Sequence, residues 1–133
     1  MIQHKTNLTV RYAETDQMRF AHHSNYIVWF ERGRIELMKH AGISYAQLEK
    51  DGYLLPVLEI NARYLKPARF DQELTINTII AEKPRAKVKF NYEVLNSDSE
   101  VLCTGFSLHS FMNKADRAIK PPREFLQKIQ EHF

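Results

Sequence analysis

Leu8, Val10 and Tyr12 alternate with polar residues. A period of two is the mark of a half-buried strand and predicts a first strand over residues 5–12. From Asn25 the period changes: Tyr26, Trp29, Phe30, Gly33 and Leu37 recur at i, i+3, i+4, i+7 and i+11. That is one face of an α-helix. It predicts a long helix over residues 25–41, with Gly42 just past its end and Ser24 or Asn25 supplying a side-chain oxygen to cap its first turn. Ser44-Tyr45-Ala46-Gln47 fits a capping box and predicts a short helix to about Asp51, before Gly52. Alternation then resumes, predicting strands at 54–65, 72–82, 86–96 and 100–113. Asn96-Ser97-Asp98-Ser99 reads as the hairpin turn between the last two. Pro121-Pro122 opens a terminal helix that puts Phe125, Ile129 and Phe133 on one side.

One strand, one long helix, a short helix and four more strands joined by tight turns imply an α+β sandwich. A five-stranded antiparallel sheet would carry the long helix across one face. One helix cannot cover both faces of five strands, so pairing with further copies is expected, as a homodimer or homotetramer. The 133 residues suit one domain spanning 1–133, and a hydrophobic share of 44% is enough to fill one core. The single cysteine excludes an intrachain disulfide and points to a reducing, cytoplasmic setting. No apolar run approaches the roughly 18 residues of a membrane helix, and residues 1–10 lack a signal-peptide core. A net charge of +3 suits an anionic ligand but is too weak to indicate nucleic acid.

The chemistry concentrates between Tyr12 and Arg34. Asp16 lies in a polar turn shortly before the start of the long helix. A helix start offers free N–H groups and a positive dipole end. A carboxylate beside aimed N–H donors is the minimum equipment for attack at a carbonyl carbon whose oxygen must be held. Thr15-Asp16 is also ordinary turn chemistry, so the residues alone leave both readings open. Lys83, Arg85, Lys87 and Lys89 share one face of a predicted strand, with Ala86, Val88, Phe90 and Tyr92 on the other. That stripe is a solvated sheet face or a contact for phosphates. Cys103 and His109 share a strand face but lie about 20 Å apart at 3.3 Å per residue, too far for a thiol–imidazole pair. No G-x-S-x-G elbow, glycine-rich phosphate loop or metal-ligand spacing occurs, so no metal is expected.

The run T-D-x-x-x-x-x-H-H-x-N-Y-x-x-W-F-E-R over residues 15–32, followed by Tyr64-Leu65-Lys66-Pro67-Ala68-Arg69-Phe70-Asp71, resembles the hotdog-fold acyl-CoA thioesterases. More narrowly it resembles the 4-hydroxybenzoyl-CoA thioesterase branch and the short-chain enzymes associated with the Tol-Pal system. The resemblance implies an acyl-CoA substrate and no cofactor. It makes Asp16 the catalytic carboxylate, as nucleophile or general base, and His23 the residue whose backbone N–H polarises the thioester oxygen. Asn25 and Tyr26 match the family's N-Y pair and would orient the loop or line the pocket. Arg85 first, then Lys87, would meet the CoA phosphates. Residues 67–71 would form a structural turn. Arg19 stands where the family usually has glycine, the one feature that favours a non-catalytic acyl-thioester binding protein. A separate alternative is another hotdog activity such as hydration or dehydration. The Asp16-to-His23 spacing favours hydrolysis.

Overall fold

The computed structural model describes residues 1–133. Its elements are β1 (Ile2–Thr9), α1 (Ser24–His40), α2 (Tyr45–Lys50), β2 (Val57–Tyr64), β3 (Glu73–Ile80), β4 (Lys87–Leu95), β5 (Val101–Ser110) and α3 (Arg123–Gln130). The strands form one antiparallel sheet in the order β1-β3-β4-β5-β2. The expected α+β architecture is therefore the one observed.

Alternation builds the core. Leu74, Ile76, Thr78 and Ile80 of β3 and Val88, Phe90, Tyr92 and Val94 of β4 are buried on one face. Against that face lies α1, with Tyr26, Trp29, Phe30, Gly33 and Leu37 all buried, as their spacing requires. Phe30 stacks flat on Tyr92, with ring centroids 4.3 Å apart. Gly105 of β5 makes room for that stack. A Cβ there would lie 2.2 Å from the Asn61 carbonyl oxygen and 2.8 Å from the Phe30 ring. Where α1 ends, Gly42 takes φ +82°. Its N–H donates to Lys39 O at 2.9 Å and that of Ile43 to Met38 O at 2.8 Å, the paired bonds that close a helix with a left-handed residue. In α2, Ser44 Oγ accepts the Gln47 N–H at 3.2 Å, while the Gln47 amide turns to Asp51 instead of completing the box.

Three local expectations are corrected. The first strand is Ile2–Thr9, and Tyr12 begins a single 3-10 turn to Glu14 with its ring 76% exposed. Glu14 and Trp29 explain the break, because turning the chain there buries the Glu14 carboxylate against the indole. The basic stripe begins only at Lys87. Arg85 precedes β4, and Ala86 is exposed rather than inward. Neither Ser24 nor Asn25 caps α1; the helix is preceded by His23 in α-helical geometry, with no side-chain cap.

β2 is an edge strand and is exposed along nearly its whole length, with Val57, Leu58, Ile60 and Tyr64 all more than a third exposed.

Candidate active site

Residues 15–21 close on themselves. Thr15 and Ala21 bridge at the base, the Asp16 N–H donates to Phe20 O at 2.9 Å, and the Arg19 N–H donates to Asp16 O at 2.9 Å. The closure sets Arg19 at φ 65°. Arginine thus holds the left-handed angle that glycine adopts freely, at a cost of about 1–2 kcal/mol. Within this loop Asp16 Oδ1 accepts the N–H groups of Met18 at 3.0 Å and Phe20 at 3.4 Å. Its other carboxylate oxygen has no partner in the chain.

The loop is buttressed by the second motif. The Ala21 N–H donates to Ala68 O at 2.8 Å, Phe20 bridges to Arg69, and the Arg69 guanidinium lies 4.9 Å over the Phe20 ring. The Ala68 N–H donates to the Tyr26 hydroxyl at 3.3 Å. Residues 67–71 are a turn, as their composition suggests, and the turn holds the carboxylate loop in place.

The start of α1 faces the same region. The His22 N–H donates to Glu14 O at 2.8 Å, and the Asn25 amide donates to Glu14 O at 2.8 Å and His22 O at 3.2 Å. The His23 N–H meets no acceptor in the chain. Tyr64, the last residue of β2, donates its hydroxyl to His23 O at 3.1 Å. A cleft of about 310 Å³ opens between the loop, the helix start and the end of β2. Asp16, His23, Tyr26, Tyr64 and Lys66 bring polar groups to it; Met18, Phe20 and Leu65 give it apolar surface.

Burial raises the Tyr26 phenol above its ordinary pKa, outweighing the N–H of Ala68, and likewise raises Tyr64. Both are neutral hydroxyls at physiological pH. Lys66 pairs with Glu100, and its hydrogen bond holds the Glu100 carboxyl below the usual carboxylate range. Cys103 is fully buried and its thiol is pushed up to about 11, so it is no nucleophile. Two serine–histidine pairs exist. His22 Nδ1 and Ser24 Oγ lie 2.8 Å apart at the exposed start of α1, outside the lining of the cleft. His109 Nε2 and Ser107 Oγ lie 2.7 Å apart, but neither residue is exposed at all. Burial first, and then the nearby Arg34 guanidinium, push His109 down to about 4. That pair and Tyr92, 2.5 Å from Ser107 Oγ, are interior scaffold.

The structure thus brings together Asp16, His23 and Tyr26. Asn25 ties the helix start to Glu14 and does not line the cleft. Arg85 and Lys87 stand elsewhere: Lys87 pairs with Ser110 and Val57 with His109, whereas Tyr64 pairs with Cys103. Within one chain they lie toward the opposite end of β2 from the cleft, a strand length of about 23 Å at 3.3 Å per residue. Tyr64 and Lys66 belong to the second motif, but their sequence signal is only that of a turn. Glu14 carries no signal beyond lying two residues before Asp16.

The model of the thioesterase-like superfamily matches residues 10–130. Over 110 residues the chain is 38% identical to YneP of Bacillus subtilis (strain 168), named a candidate acyl-CoA thioesterase, spanning 83% of this chain and 80% of that protein. It is 28% identical over 93 residues to the acyl-CoA thioester hydrolase YbgC of Escherichia coli O6:H1, spanning 70% and 69%. The crystal structure of a DHNA-CoA thioesterase from Staphylococcus aureus superposes with a TM-score of 0.91 at 30% identity, covering 98% of this chain and 93% of that one. A long helix laid across a five-stranded antiparallel sheet in this order is the hotdog fold. With relatives named acyl-CoA thioesterase and thioester hydrolase, the class is that of the thioester hydrolases. The chain belongs to the thioesterase-like superfamily.

Proposed function

We propose that the protein hydrolyses acyl-CoA thioesters to a carboxylic acid and CoA, with Asp16 as the catalytic carboxylate and the His23 N–H as oxyanion donor. One observation carries this reading: an unpartnered Asp16 oxygen and an unpartnered helix-start N–H belong to residues of one cleft. The donor would meet the charge that develops on the thioester oxygen, a contact worth about 3–4 kcal/mol in other enzymes. Two routes are open to the free carboxylate oxygen. As general base it takes a proton from water while the water oxygen bonds to the acyl carbon. The C–S bond then breaks and the proton passes to the CoA thiolate. As nucleophile it bonds to the acyl carbon itself, expels the thiolate and leaves an anhydride that water cleaves. A first turnover in ¹⁸O-water separates them: label found in Asp16 requires the anhydride.

The phosphate end of CoA is assigned to Arg85 and Lys87, supplied by a second subunit. Two β2 edges paired about a twofold axis run antiparallel. Val57 of one copy then lies near Tyr64 of the other, and the Arg85 end of the second copy approaches the cleft of the first. The exposed apolar side chains of β2 favour such pairing. Ile60→Glu at that edge should give monomers by light scattering and a raised KM for acyl-CoA.

The deciding assay is a panel of aliphatic and aromatic acyl-CoAs, with free thiol detected, for the wild type and Asp16→Ala. Turnover that vanishes in the folded variant supports the reading. Turnover unaffected by the change overturns it. The non-catalytic alternative rests on Arg19, and the glycine-like angle of Arg19 weakens it.

A further inference from the structure

Glu14 is 5% exposed, a carboxylate in the core two residues ahead of Asp16. A buried carboxylate needs its oxygens met by donors, and both are. Oε1 accepts the Arg11 N–H at 2.7 Å, with the Arg11 side-chain Nε at 3.6 Å, and Oε2 accepts the Trp29 indole N–H at 2.9 Å. The main-chain oxygen of the same residue accepts the His22 N–H and the Asn25 amide. One residue therefore grips α1 at three points: just before its first turn, within that turn, and one turn further on.

Asp16 hangs from this anchor. Between them stands only Thr15, whose bridge to Ala21 closes the loop. Glu14 does not line the cleft, so it touches no substrate there. What it controls is the separation and direction between the Asp16 carboxylate and the His23 N–H. Misplacing reacting groups by about 1 Å is enough to lose roughly 100-fold in rate. Filling space alone would be served as well by an apolar side chain. A carboxylate that takes a directed indole N–H also fixes an orientation.

We infer that Glu14 is a positioning residue for hydrolysis: its carboxylate bond to Trp29 sets the Asp16 loop against the start of α1. This rests on Asp16 and His23 acting as proposed above. Glu14→Gln would turn an amide N–H toward one of the two donors, and Trp29→Phe would remove the indole N–H while keeping a ring. Both singles should lower kcat on the best acyl-CoA of the panel by tenfold or more. KM should stay within about twofold and melting should stay above the assay temperature. Because both changes disturb the Glu14–Trp29 contact, the loss in the double variant should fall well short of the product of the two single losses.

If Asp16→Ala abolishes turnover while the folded Glu14→Gln and Trp29→Phe keep kcat within twofold of wild type, the inference is wrong and the reading of Asp16 survives. It is equally wrong if the two losses multiply, or if only KM moves. If Asp16→Ala leaves turnover intact, both fall together. Should Glu14→Gln fail to fold, the kcat of Trp29→Phe decides alone.

Discussion

His23 provides the sharpest separation of main chain from side chain in this site. Its φ is −55° and its ψ −29°, within the range that proline's ring imposes. It directly precedes the first helical residue, where a missing N–H interrupts no helical bond. His23→Pro therefore deletes the proposed oxyanion donor while respecting the local backbone. Loss of one such donor in other enzymes slows kcat by about 10²–10³, or 2.7–4 kcal/mol. His23→Ala is the matched control. It keeps the N–H and removes an imidazole whose ring lies 6.3 Å from Tyr64, edge to face, and 4.1 Å from His22. Aromatic pairs of this kind contribute about 0.5–1.5 kcal/mol each to packing in the folded state and not to the transition state, so the control should lower Tm while keeping kcat within about tenfold. The assay is steady-state thiol release at saturating acyl-CoA, with circular dichroism confirming the fold of each variant. The reasoning fails if His23→Ala falls as far as His23→Pro, since the imidazole would then be the working group. It also fails if His23→Pro keeps kcat within threefold.

Three further outcomes follow from local geometry. Arg19→Gly relieves a strain of about 1–2 kcal/mol at φ 65° and adds back about 0.4–1 kcal/mol of unfolded-chain freedom. The net gain of about 0.5–1 kcal/mol should raise Tm by about 2–4 °C at fixed protein concentration, whereas Arg19→Ala should gain nothing. His109 has a folded pKa lowered from 6.5 to about 4, so between those values the unfolded chain binds a proton that the folded chain refuses. Stability should therefore rise with pH across that window and be lost on acidification, by at most about 3 kcal/mol; urea titrations of His109→Gln should show a flatter profile. Gly105→Ala sets a Cβ 2.2 Å from the Asn61 carbonyl oxygen, which the β2–β5 ladder prevents from moving. It should cost about 3 kcal/mol or more, read as a fall in the urea midpoint.

Periodic stretches are legible in the chain. The α1 face and the four later strands follow from spacing alone, because each buries one side and must alternate or recur accordingly. Tyr12 breaks that logic: apolar and in phase with Leu8 and Val10, it is nevertheless turned outward by a 3-10 turn whose purpose is Glu14, a long-range partner of Trp29. The expected α1 cap fails for a similar reason, since Asn25 lies inside the helix and turns its amide to Glu14 and His22. Asp16 and His23 can be paired from the motif, and the cleft contains both. The roles of Tyr64 and Lys66 depend on where β2 ends relative to α1, which no local pattern encodes. Strand periodicity gives Arg85 and Lys87 a shared face, but their distance from Asp16 is a matter of sheet register.

The Ala21 N–H finds its acceptor on Ala68, and the Asp71 N–H reaches back to Val10. The carboxylate loop therefore draws its support from a turn that joins two later strands. Local helix formation in α1 is fast and needs no such help, but closing the loop must await the docking of distant chain. During synthesis the segment bearing Asp16 emerges well before its buttress, so the loop of the proposed hydrolytic centre cannot close until residues 67–71 have docked. In native-state hydrogen exchange, the amides of Ala21 and Ala68 should open together, as one cooperative unit, ahead of the sheet centre.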